Sequence, residues 1–159
     1  IAEEGAVPAA VFLTSAPPRG ILVLRWRVLS RMWRYAGAVL GSRPFQPSPD
    51  DAAALIANRL SRETQRQLYP KLVPESGRAA RELALGSVRV DASRVRCPLL
   101  VVGAEHDAIT SAGIQRKIAA KYGATYLEAA GHAHMLMLED GWEGPFKAIL
   151  SWLDEATNR

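Results

Sequence analysis

From Val95 onward the sequence alternates short apolar runs with amphipathic stretches, and this alternation most constrains the fold. Leu99–Val102 reads LLVV, introduced by Pro98 and ended by Gly103. Such a run, with no polar residue in alternation, suits a strand buried on both faces. Ser111–Tyr122 follows, with Ile114, Ile118 and Tyr122 on one helical stripe and Gly123 placed as a C-terminal stop. Ala124–Glu128 is a third-type segment, a short strand. Glu143–Ala156 closes as a helix, with Phe146, Ile149, Leu150 and Leu153 on one face. Strand, helix, strand, helix predicts an α/β arrangement in which helices cover a parallel sheet.

The first 94 residues contain one further strand of the buried type, Ala9–Thr14 (AAVFLT), ended by SAPPRG. The remainder reads as helical. Ile21–Leu40 carries Trp26, Leu29, Trp33 and Ala36 at intervals of three or four. Ser42–Pro49 holds three prolines and is expected to be a loop. Asp50 or Asp51 is placed to cap a helix running to about Leu60. Two shorter helices, Glu63–Tyr69 and Glu75–Leu85, are separated by Pro70 and Pro74.

Ligands in parallel sheets sit at the carboxyl ends of the strands. Three segments fall there: Ser15–Gly20, Gly103–Thr110 and Ala130–His134. The chain has three histidines, and His106, His132 and His134 all lie in the last two segments. A carboxylate just past one strand, Asp107, and a histidine just past the next can meet. The carboxylate then fixes one ring nitrogen and leaves the other free to take a proton from a nucleophile.

At these residues the chain resembles the α/β-hydrolase superfamily. CPLLVVGAEHDAIT is similar to the family's acid-bearing strand and loop, and HAHMLMLEDGWEGPFKAILSWL to its histidine loop and final helix. VFLTSAPPRGI resembles the strand that follows the nucleophile helix, and PESGRAARELALG the last helix of a helical cap. The resemblance implies the C-terminal half of that fold. Residues 1–20 would be a core strand and loop, 21–94 a helical cap, and 95–159 the core carrying the acid and the histidine. It implies Asp107 as the acid and His134 as the histidine, with His132 as the alternative. The Gly131–His132 pair favours one, and the distance from His134 to Glu139 the other. The implied activity is cleavage of a carboxylic ester or related acyl bond, without a cofactor. The substrate would be a small molecule with an apolar acyl group, received among the tryptophans and methionine of 26–33 unless these pack between cap helices.

The family's nucleophile motif, G-x-S-x-G, is absent, and the chain opens on Ile1 with no leader pattern. The nucleophile is therefore expected outside these residues, and the chain alone is expected to be inactive. Ser15 lies on the right rim but lacks elbow glycines, so a turn-capping role is expected for it. Ala9–Thr14 would be left as an open apolar edge. A complementary N-terminal segment or self-association is expected to cover it.

Other readings fit less of the sequence. The three histidines with Asp107 and Glu128 could form a metal set. A non-catalytic binding module is the other alternative. Residues 1–96 hold 15 Lys and Arg against 8 Asp and Glu, yet the arginines are interleaved with apolar residues at helical spacing. This suits solvated helix faces, and nucleic-acid binding is not expected. No apolar run is long enough for a membrane span. Cys97 reads as a structural thiol, and a lone cysteine fits a reducing, cytoplasmic compartment.

Overall fold

The computed structural model describes residues 2–23 and 25–158. Its centre is a parallel sheet of three strands, β1 (Ala10–Leu13), β2 (Leu99–Ala104) and β3 (Thr125–Ala129), in the order β1-β2-β3. Leu13 pairs with Val102, and Gly103 with Glu128. The apolar run on β2 is explained by its position, because every residue of that strand is buried. Leu100 and Val102 face one cluster with Ala129, Leu136 and Ile149. Val101 faces the other, with Ile21, Val23, Ile114, Ile118 and Ala119. Burying each of these larger aliphatic side chains contributes roughly 1.5–3 kcal/mol.

Helix α6 (Ala112–Tyr122) covers the Val101 face. It ends as its sequence requires, with Gly123 left-handed at φ 60°. Helix α7 (Glu143–Thr157) covers the opposite face through Ile149, Trp152 and Leu153. Its apolar stripe is only half used. Phe146 and Leu150, expected in the core, are each 45% exposed, because the packed stripe centres on Ile149 and a narrow sheet does not reach the rest. Phe146 instead stacks obliquely on Trp142, with ring centroids 5.5 Å apart. The edge of β1 away from β2 has no partner strand among the described residues.

Five short helices occupy the connection from β1 to β2: α1 (Trp26–Met32), α2 (Ala36–Leu40), α3 (Pro49–Leu55), α4 (Arg62–Leu68) and α5 (Gly77–Ala84). Four expectations change here. The first helix begins at Trp26, because Ile21 and Val23 are used as core residues against α6. It is broken by a 3-10 turn at Trp33–Tyr35. Trp26 and Trp33 are 82% and 70% exposed, so they neither fill a core nor line a pocket. The cap of α3 is Ser48, whose hydroxyl accepts from the Asp51 amide, with Pro49 in the first turn.

That correction has a cause. Asp51 is 1% exposed and bound by the connection's own side chains. Arg31, Arg34 and Tyr35 share one helical face three and four residues apart. Arg31 reaches Asp51 at 3.1 Å, Arg34 at 3.4 Å, and the Tyr35 hydroxyl donates to it at 2.7 Å. Ser48 Oγ donates to Asp51 at 2.9 Å, and the Ser48 amide donates to Tyr35 at 2.7 Å. Burial pushes the Asp51 carboxyl up, but Tyr35, Ser48, Arg31 and Arg34 outweigh it and hold it below the ordinary value. This pin joins α1, the 3-10 turn and α3.

Candidate active site

The parallel strands bring Thr14, the 105–110 loop and the 130–135 loop to one end of the sheet. The Asp107 carboxylate organises the middle loop. Its Oδ1 accepts from the amides of Ile109 at 2.8 Å and Thr110 at 2.9 Å, a turn that aspartate favours. Its Oδ2 lies 2.9 Å from Nδ1 of His134. The Thr110 hydroxyl is 2.9 Å from that same oxygen and 3.0 Å from the Thr14 carbonyl oxygen, and its one proton serves one of them at a time. Burial pushes the Asp107 carboxyl up. The hydrogen bond and charge of His134, with the Thr110 and Ile109 amides, overcome this and hold the carboxyl below its ordinary value.

The geometry separates the two histidines. His134 meets Asp107 and keeps its side chain 24% exposed. His132 lies 3.4 Å from Glu139 and is nearly buried. The histidine that the spacing to Glu139 favoured is thus the one that meets Asp107, while Glu139 itself contacts the other. Glu139 faces His132 and accepts from the Ala133 amide at 2.7 Å, fixing the loop between the histidines. His106 points to neither, being 44% exposed with Nε2 3.9 Å from Glu105. Glu128 bonds Arg116 and Tyr126, away from the histidines. Among the described residues no group of three or more His, Cys, Asp or Glu side chains could hold a metal ion.

Backbone bonds lock the two loops together. The His106 amide donates to the His132 carbonyl at 2.8 Å, and the Gly131 amide to Glu105 at 2.8 Å. Thr14 ties in the first strand. Its amide donates to Val102 and its hydroxyl to the His134 carbonyl at 3.2 Å. Its φ is +40°, unusual for a β-branched residue. Gln115, fully buried on α6, donates to the Ser15 carbonyl at 2.8 Å. The Ser15 hydroxyl is buried without a hydrogen-bond partner among the described residues, so it does not cap the turn. Gly103 lets α6 and β3 approach β2, since a Cβ there would sit 2.6 Å from the Tyr126 hydroxyl.

Sequence reasoning missed Thr14, Gln115, Thr110 and Asn58. Thr110 stood three residues after Asp107, a spacing typical of aspartate turns. Asn58 donates from the helical connection to the His106 carbonyl at 2.9 Å. A lone asparagine between helices carries no such signal.

Chemically, a buried carboxylate on Nδ1 fixes the imidazole tautomer and stabilises its protonated form. Nε2 can then exchange a proton with a reacting group. No helix among the described residues is long and apolar enough to cross a membrane.

No protein-family model and no curated protein matches the sequence. Solved structures do. A monoacylglycerol lipase of Paleococcus ferrophilus is 19% identical, with TM-score 0.62, over 96% of this chain and 61% of that one. A carboxylesterase of Nitrososphaera gargenis is 14% identical, with TM-score 0.64, over 99% and 60%. A thermophilic esterase of Thermogutta terrifontis is 18% identical, with TM-score 0.53, over 94% and 57%. The chain thus spans about 60% of the length of the first two. Its parallel sheet and covering helices match part of an α/β-hydrolase fold.

Proposed function

We propose that this chain supplies the acid and the base of a nucleophile–His–Asp hydrolase that cleaves carboxylic esters or related acyl bonds. The observation that carries the reading is the 2.9 Å contact between buried Asp107 Oδ2 and His134 Nδ1 at the carboxyl ends of parallel strands. The lipase and esterases of similar fold support an acyl substrate.

In this reading His134 Nε2 takes the proton of a nucleophile's hydroxyl or thiol as that atom attacks the acyl carbon. The same proton passes to the leaving alcohol when the acyl–oxygen bond breaks. Water then repeats the sequence on the acyl intermediate, its proton going to His134 and back to the released nucleophile. Asp107 stays ionised and stabilises the imidazolium at each step. Among the described residues no hydroxyl or thiol hydrogen-bonds the His134 ring, so the nucleophile is assigned to a segment or chain that complements this one. The unpaired edge of β1 is where a complementary strand would add. The helices between β1 and β2 act as a cap, held to the acid loop by Asn58.

The test is hydrolysis of p-nitrophenyl esters by the product of the complete reading frame. Asp107→Ala and His134→Ala are expected to abolish it, while His132→Ala leaves most of it. Full activity in both of the first two variants overturns the assignment. A wild-type protein that binds esters without turnover supports the binding-module alternative instead.

A further inference from the structure

A cleft of about 420 Å³ opens beside the Asp107 loop, lined by Arg25, Arg27, Asn58, Arg59 and residues 105–108. Arg27 and Asn58 also line a larger cleft of about 940 Å³ among α1, α3 and α4. The two clefts therefore adjoin at Arg27 and Asn58, one beside Asp107 and the other within the helical connection. Arg31, Arg62 and Arg66 continue the basic lining into the larger cleft.

The charges of these clefts are unequally committed. Arg31 is bound to Asp51, and Arg66 to Glu63. The acidic groups are Asp50, Glu105 and Asp107. Glu105 is engaged by the Gly131 amide, and Asp107 by His134 and two amides. Arg25, Arg27 and Arg59 have no ion pair among the described residues and line the same small cleft. Guanidinium groups gathered around one concave site repel one another and raise the local concentration of anions. Their planar forks match carboxylate and phosphate oxygens.

We propose that this cleft receives an oxyanion of the substrate, with Arg25, Arg27 and Arg59 as specificity residues. The preferred substrates are then acyl compounds that carry a second, ionised acid group, in place of the purely apolar acyl group the sequence suggested. The cleft borders the Asp107 loop, so the acid group would be held beside that loop. The substrate assignment rests on the triad reading, but anion binding itself needs no turnover.

The test is calorimetric titration of this 159-residue chain with monomethyl succinate, inorganic phosphate and dimethyl succinate. Saturable binding of either anion at millimolar concentration, with none for the neutral diester, is the expected result. Arg27→Ala and Arg59→Ala should each weaken it roughly tenfold, the size of one charge-assisted hydrogen bond. Arg27→Lys should retain most of it. The three arginines are exposed, so these variants keep the fold. Equal binding of the diester, no saturable anion binding, or unchanged affinity in an Arg27→Ala/Arg59→Ala double variant overturns the proposal. Such a failure leaves the triad reading intact. Conversely, activity that survives loss of Asp107 and His134 sinks the triad and not the anion site.

Discussion

The protein buries two aspartates almost completely, and it surrounds them with different partners. Asp51 is enclosed by two arginines, a tyrosine and a serine, all contributed by the helical connection. Asp107 spends one oxygen on its own loop and turns the other to a histidine that is partly open to solvent. Both carboxyls are held below the ordinary range. A depressed carboxylate in itself therefore does not mark an active site. What separates the two is the partner: arginine cannot release its proton near neutral pH, and histidine can.

The largest expected difference is in turnover. On the proposed hydrolase reading, His134→Ala or Asp107→Asn should lower kcat roughly 10⁴-fold, while Asp51→Asn should change it only a few-fold. Comparable losses at both aspartates would erase the distinction. Stability should respond in the reverse order. Asp51→Ala strands two guanidiniums and two hydroxyls, and about 2 kcal/mol is expected from urea unfolding of this chain. The figure sits below the range for fully buried pairs because Arg31 and Arg34 are 40% and 52% exposed.

A smaller effect concerns acid. The Asp107 carboxyl lies below 3.8 in the fold, so its charge stabilises the protein above pH 3.8. That contribution is lost as pH falls through the lower, folded value. Asp107→Asn should therefore flatten the fall in melting temperature at acid pH without steepening it near neutrality. The smallest change is expected at Glu128, whose side chain is 31% exposed beside Arg116. Glu128→Gln should alter stability by under about 1 kcal/mol. It should still lower the pKa of Tyr126, which burial and then Glu128 raise to about 12, and a spectrophotometric phenol titration reads this.

The α/β core was legible because its signals are periodic or categorical. The LLVV run, the Ile114–Ile118 stripe and Gly123 each admit few structures. The rim was legible for a topological reason: parallel strands must deliver their following loops to one end. The helical connection was harder to read. A potential cap at Asp50 or Asp51 competed with Ser48–Pro49 directly upstream, and a tertiary contact made Asp51 a buried anchor. The tryptophans at 26 and 33 matched a helical period, but period alone does not say which side of a helix meets the core. The spacing to Glu139 favoured His134, the histidine that meets Asp107, while the contact of Glu139 with His132 is a loop detail that sequence distance does not fix.

Thr14 has one more consequence. Holding a threonine at φ +40° is unfavourable by about 1 kcal/mol or more. The conformation is maintained by bonds to three separate places: the Val102 carbonyl, the Thr110 hydroxyl and the His134 carbonyl. A single strained residue therefore joins β2, the 105–110 loop and the 130–135 loop, so a substitution at Thr14 bears on all three at once.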